Sequence, residues 1–386
     1  MSDQIAPPPP DGGAPPPAAA IAECPINAEF LPPDKRKHVD PKAPVPLRMM
    51  AAKGLVPLAP SDKIAAMFML TYDPDQNVRD TASKSAAAQP DVILAPALRD
   101  ERLKPPVLGW MLTLYGTNDA YAEMLILNAG TPDESVAVVA ASCSLKILEI
   151  IGQNQLRILR HDDIIRQLVA NPNATPALID SVCDFAVRSG VGLADVQAMT
   201  DARVRLYGPQ AAETPPDIGP TADDVLHEFE EISDEGAAPM EEGKRMSVSQ
   251  KIMKMSVSEK VKLANMGNKE IRGILLRDSN RLVAVAAIRS QRITDGEILV
   301  MANNKTASDD VLRVIYHDRE WTKQYPIKLA LVRNPKTPQA LAMKFLGGLR
   351  DSDVKSLSRD KNVPNIVQQM ARKMIEKKES PKKDEK

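Results

Sequence analysis

Aromatic side chains are scarce in this sequence, 3% of its 386 residues, with Trp110 and Trp321 the only tryptophans. β-Sandwiches and barrels draw on aromatic and β-branched residues, so their cores are a poor match. A 43% hydrophobic content made mainly of Leu, Ile, Val, Ala and Met suits small, closely packed helices instead. Cysteine is equally sparse. Cys24, Cys143 and Cys183 lie far apart without a CxxC spacing, which excludes a disulfide framework and a thiolate zinc site. The four histidines, His38, His161, His227 and His317, show neither an i, i+4 pair nor HExxH. They are better read as polar residues at caps and turns, and no metal is expected.

Catalytic fingerprints are missing too. No GxGxxG, GxxxxGK[ST] or GxSxG occurs, and the pair Gly347–Gly348 reads as a helix C-cap. No cofactor, small-molecule substrate or enzyme activity is expected. The start, MSDQIAPPPPDGG, has no basic segment leading into an apolar run, and no stretch approaches the ~20 apolar residues of a membrane span. A soluble, cytoplasmic protein without membrane contact is the expectation.

What is abundant is proline at one end and segregated charge. Fifteen of the 33 prolines fall in residues 1–60, including Pro7–Pro10 and Pro15–Pro17. That stretch reads as a disordered, polyproline-like arm. Its KAPVPLR segment, with Pro44, Pro46 and Arg48, would either engage an aromatic groove of a partner or serve only to solubilise. The net charge of −1 conceals a cancellation: residues 244–386 hold 31 Lys/Arg against 16 Asp/Glu, and residues 1–243 hold 19 against 35. Eleven acidic residues and no basic one lie between Glu213 and Glu242.

From about 61 to 208 the pattern is one of short apolar helices punctuated by Asp, Asn, Gly and Pro. In LVANPNATPALIDSVCDFAV, Asn171–Pro172 ends one helix, and Thr175–Pro176 starts the next with Thr as N-cap and Pro at the first helical position. Leu178, Ile179, Val182 and Ala186 then share a face. ALVRNPKTPQALAMKFL repeats the arrangement, with Asn334–Pro335, Thr337–Pro338 and the stripe Leu341, Phe345 and Leu346. Looser copies surround Asp73–Pro74, Thr131–Pro132, Asn303–Asn304 and Asn362–Pro364. A turn-plus-helix unit recurring in both halves is the mark of stacked helical repeats, here unevenly spaced.

The expected organisation is therefore all-α: a disordered Pro-rich arm over 1–60, an irregular HEAT-like solenoid over 61–208, an acidic disordered linker over 209–245, a basic solenoid over 246–376 and a charged disordered tail over 377–386. Within the linker a short helix around Asp224–Ile232 is expected, with Val225, Phe229 and Ile232 as a thin apolar stripe. The segments MSVSEKVKLANMGNKEIRGILLRDSNRLVAVAAIRS, KLALVRNPKTP and FLGGLRDSDVKSLSRDKNVP, and more weakly NQLRILRHDDIIRQLVANPNATP, resemble a bacterial family of HEAT-like, leucine-rich-repeat-variant proteins. The resemblance covers about two thirds of the chain. It implies an α-solenoid and no assigned activity.

Two features point to chemistry. LRDSN (276–280) and LRDSD (349–353) are paired motifs in which Asp278 and Asp351 would cap the following helix, or else contact a ligand. The basic surplus is the other. Arg272, Arg277, Arg281, Arg289, Arg292, Arg313, Arg319, Lys323, Lys328, Arg333 and Lys336 are placed at helix ends and turns, where a curved repeat array would align them for a partner or polyanion. Trp321 and Tyr325 lie among them, as stacking residues or as core. Three explanations of the surplus stand: plain solvation, neutralisation by the acidic linker or a partner protein, and nucleic-acid binding. A non-catalytic protein-interaction scaffold is the leading reading; a nucleic-acid-binding solenoid, autoinhibited by the acidic linker, is the alternative.

Overall fold

The computed structural model describes residues 23–100, 102–212, 219–233 and 242–379. Among the described residues the chain forms 24 α-helices and three 3-10 turns, and no strand. No described helix is long and apolar enough to cross a membrane. The helices are short, from five residues (Arg319–Lys323) to fifteen (Asn365–Glu379). Their brevity follows from capping chemistry recurring along the sequence. Asp75, Asn118, Ser144, Asn154, Thr175, Ser256, Asn268, Asn280, Thr294, Ser308 and Asp318 are N-caps whose side chains accept from backbone N–H groups of the first turn. Thr294 and Glu297 complete a capping box.

The chain divides into two compact units, residues 1–139 and 140–386. The division falls inside the stretch expected as one solenoid, and the acidic segment lies within the second unit.

In the first unit the expected arm is ordered from residue 23 onward; residues 1–22 lie outside the described residues. Pro44 and Pro46 open the helix Val45–Ala52, where a proline ring suits the first turn. Leu31, Val39, Ala51, Ala52 and Val56 join Ala66, Met69, Leu70, Val78 and Ala82 in one buried cluster. Arg48, 4% exposed, donates from Nε to Ala43 O at 2.9 Å and pairs with buried Asp73. The KAPVPLR arginine is thus a core anchor. Proline density hid this helix because VPLRMMAA spans only two turns, too few for a visible period.

In the second unit the helices flanking the acidic segment pack on each other. Helix Val257–Met266 lies against Gln155–Arg160 and against Ala222–Ser233. Ser258 N–H donates to Ser189 O at 2.9 Å, and Lys262 Nζ bridges Asp162 Oδ2 (2.9 Å) and Glu259 Oε1 (3.1 Å). Burial works to lower the Lys262 ammonium, but the two carboxylates outweigh it and hold it above the ordinary lysine value. Gly190, at φ +82°, lets the chain pass so close to Ser256 that a β-carbon there would overlap its side chain. The acidic segment expected as disordered therefore contains a docked helix. Ala222 and Val225 are buried, and Ala222 N–H donates to Glu259 Oε2 at 2.9 Å. The side chains of Phe229 and Ile232 lie outside the described residues.

One local device recurs through both units. Asp40, Asp73, Asp100, Asn128, Asn171, Asp278, Asn304, Asn334 and Asp360 each accept, at Oδ1, the N–H two residues on, which closes a turn between helices. Where the residue is Asn and buried, its Nδ2 reaches a carbonyl about one turn-plus-helix unit earlier. Asn128 donates to Leu98 O (3.1 Å), Asn171 to Ala140 O (2.8 Å) and Cys143 O (3.1 Å), and Asn334 to Ala302 O (2.8 Å) and Asn304 O (3.1 Å). Where it is Asp, a carboxylate has no proton to give, and at three of the five aspartates a cation takes the place of the carbonyl: Arg48 for Asp73, Arg102 for Asp100, Lys260 for Asp278, while Asp40 and Asp360 pair with none among the described residues. The sequence copies of the Asn-Pro turn are thus tied to the preceding helix pair by hydrogen bonds. One detail differs. Thr175 is the N-cap as expected, but in the shorter NPKTP turn Pro338 is the N-cap, one position before the helix.

Candidate interaction surface

The eleven basic residues do not behave as a set. Arg272 is 4% exposed and locked in a bidentate pair with Glu297, Nε to Oε1 at 2.9 Å and Nη2 to Oε2 at 3.0 Å, with Nη1 donating to Gly267 O at 2.9 Å. It is a core strut, buried away from any partner, and not the surface contact expected for it. Burial works to raise the Glu297 carboxyl, yet the bonds from Arg272 and Thr294 hold it below the usual carboxylate value. Arg281, Lys323 and Lys336 lie within 4 Å of Asp310 (3.7 Å), Glu320 (2.5 Å) and Asp309 (3.4 Å).

The remaining seven, Arg277, Arg289, Arg292, Arg313, Arg319, Lys328 and Arg333, face no carboxylate at ion-pair distance among the described residues. Arg277 and Arg292 donate only to backbone, to Gly273 O (2.5 Å) and Met266 O (2.9 Å). Arg313 and Lys328 sit mid-helix, in Asp309–His317 and Tyr325–Arg333, and not at the helix ends expected for them. Lys328 and Arg333 are half-buried and the other five are exposed.

The two LRDS motifs are not equivalent. Asp278 sits two residues before the cap of the next helix, closes the turn to Asn280, and pairs with Lys260 Nζ at 2.9 Å; the cap itself is Asn280. Asp351 is instead the first residue of Asp351–Arg359, whose N-cap Arg350 makes no side-chain capping bond. Neither aspartate caps, because the four shared letters LRDS stand three residues out of register with the following helix: the N-cap is Asn280 in one and Arg350 in the other.

The aromatic residues among the cations are occupied. Arg350 lies over the Tyr325 ring at 4.6 Å, and the Tyr325 hydroxyl donates to Asp353 and accepts Arg350 N–H at 3.1 Å. Burial and the Asp353 bond both raise its phenol. Trp321 is half-buried. The histidines stay apart: His38 contacts Leu47 O (3.3 Å), His161 lies 3.8 Å from Asp163, and His317 contacts Arg313 O (3.0 Å). Among the described residues no group of three His, Cys, Asp or Glu is placed to hold a metal ion. All three cysteines are free thiols, and burial pushes Cys183 up to about 11.

Sequence reasoning missed a shallow cleft at the C-terminal ends of Asp295–Asn303 and Tyr325–Arg333. Asn303, Lys305, Ala330, Arg333, Asn334, Asp360, Asn362 and Val363 line it, around about 170 Å³. Two of its residues, Asn334 and Asp360, are members of the recurring turn, the one signal that could have found it.

The fold defines a class, an all-α chain of short, capped helices joined by repeated Asx turns. Comparison with protein-family models, with curated proteins and with solved structures returns no match for the chain.

Proposed function

We propose that the chain is a non-catalytic interaction scaffold built on HEAT-like helical repeats, whose basic C-terminal half holds an acidic protein segment. The observation that carries this reading is the set of seven cations without a carboxylate partner on repeated helices. Charges left unpaired at a surface attract an oppositely charged partner and set its approach rate. The acidic helix Ala222–Ser233 against Val257–Met266 supports a protein partner, since it is an acidic helix already seated in this unit. The resemblance to leucine-rich-repeat-variant proteins and the Asn staples favour a stacked, solenoid-like arrangement, which offers extended surfaces for such a segment.

Nucleic acid is the second reading, favoured by the same seven cations. Single-stranded ligands usually add base stacking on aromatic faces. Here Tyr325 is covered by Arg350 and tied to Asp353, which weighs toward protein. Fluorescence anisotropy of the full chain with a labelled hexaglutamate peptide and with labelled single-stranded RNA, at low and physiological salt, separates the two. Peptide binding tighter than RNA binding supports the scaffold; RNA binding alone, with a steep salt slope, transfers the assignment to nucleic acid. Binding of neither contradicts both.

A further inference from the structure

In the turns at Asp73, Asp100 and Asp278 the aspartate is paired with a cation. Asp360 occupies the same turn position, accepting Asn362 N–H at 2.9 Å, but no cation sits within ion-pair distance of it among the described residues. Arg333 and Lys305 line the same cleft as Asp360. Arg333 Nε is shut off from solvent and has no hydrogen-bond partner. A buried guanidinium donor without an acceptor is costly, and an ordered water, an ion or a bound ligand is what ordinarily satisfies one. Lys305 is exposed and makes only a long bond, 3.4 Å, to Asn362 O. Asn334 contributes no free group, since its Nδ2 and Oδ1 are spent on Ala302 O, Asn304 O and Lys336 N–H.

Two cations against one carboxylate leave the cleft with an excess positive charge. Its volume of about 170 Å³ is below the roughly 300 Å³ of a drug-sized site and close to the room of five or six waters. That space admits one head group. We propose that the cleft is the anchor point for a single carboxylate of an acidic partner segment, taken by Arg333 and Lys305, with the Asn362 amide at its rim. The guanidinium fork donates two parallel hydrogen bonds to a carboxylate in one plane, which an ammonium alone does not offer. The helix C-termini beside it and Asp360 oppose anions, so the site discriminates against binding by charge alone.

This inference rests on the scaffold reading, and the experiment separates the two. Labelled hexaglutamate is titrated into the full chain and into R333Q, R333K, D360N and, as a control in the first unit, K84Q, which removes an exposed lysine of the helix Gln76–Ala87. An anchoring site predicts that R333Q weakens binding about ten-fold or more, R333K partly restores it, and K84Q changes it by no more than about two-fold. D360N tightens binding, because a repelling charge is removed. An R333Q loss no larger than that of K84Q would overturn the cleft while leaving the scaffold intact; no binding by the unsubstituted chain would overturn the scaffold itself. Melting curves supply the independent check. R333Q and D360N should melt with the parent, whereas matched losses of several degrees in both would mean a structural Arg333–Asp360 pair and overturn the proposal.

Discussion

Replacing Asn334 tests the structural device that recurs most often in this chain. Its carboxamide is 2% exposed and makes three bonds, two from Nδ2 to Ala302 O and Asn304 O and one at Oδ1 from Lys336 N–H. Asn334→Ala removes all three and strands buried backbone groups. At about 1 kcal/mol net per bond, with relaxation toward solvent at the Lys336 end, the loss should be about 2–4 kcal/mol. Asn334→Asp keeps the Lys336 bond but sets a carboxylate against two carbonyl oxygens. At neutral pH it should cost at least as much as Ala. Burial beside acceptors raises the folded-state pKa of that new carboxyl, so the folded state takes up a proton first, and stability should increase as pH falls through that value. Urea unfolding in a Trp110→Phe background, with Trp321 reporting the second unit, measures both. A loss under about 1 kcal/mol for Ala, or an Asp variant equal to the parent at pH 7, would falsify the staple.

Arg272→Met leaves Glu297 buried without its partner and should cost about 3–5 kcal/mol, most of it recovered in Arg272→Met/Glu297→Leu; denaturant midpoints of the two variants decide. Glu297 is depressed in the folded state, so its contribution is present above the unfolded carboxylate pKa and lost as pH falls through the folded value; acid unfolding of Glu297→Gln should lack that component. Burial works to raise Asp100, but hydrogen bonds from Arg102 and Ser61 prevail and hold it at about 2 against 3.8. Discounted for the exposed Arg102, about 1–2 kcal/mol should vanish in the first unit between roughly pH 5 and pH 2, and Asp100→Asn should flatten that decline in an acid titration followed by Trp110 fluorescence. Gly190→Ala adds left-handed strain and an overlap with Ser256, costing more than about 2 kcal/mol. Amide exchange at Ser258, whose N–H bonds Ser189 O, should speed up, and adding Ser256→Gly should reverse only the steric part.

Much of the fold was legible because the punctuation is chemical. Thr175–Pro176 reads directly as cap and first helical position, and Asn171 and Asn334 mark turns in the sequence and in space. What those asparagines hold was not legible, because their partners lie about thirty residues back and are backbone carbonyls, which carry no letter. Residues 23–60 and 222–233 were masked by composition. Proline and acidic residues suggest solvation, and two or three buried positions per helix, such as Ala51 and Ala52 or Ala222 and Val225, are enough to dock a helix against a neighbour without producing a visible stripe. The candidate surface was half legible. Arg272 and Arg289 look alike in sequence, and only the position of Glu297 turns the first into a core strut. Arg333 stands out in the sequence for its charge, while its place in a cleft beside an aspartate without a cation partner carries no sequence signal.

The measurement that tests the central claim most directly is binding of labelled hexaglutamate to the full chain carrying Arg289→Glu, Arg313→Glu, Arg319→Glu and Lys328→Glu together, across a salt series. These four sites touch no described carboxylate, so the variant should fold. A basic docking surface predicts loss of affinity of about a hundred-fold at low salt and a flattened salt dependence. Unchanged affinity and slope in a folded variant would contradict it.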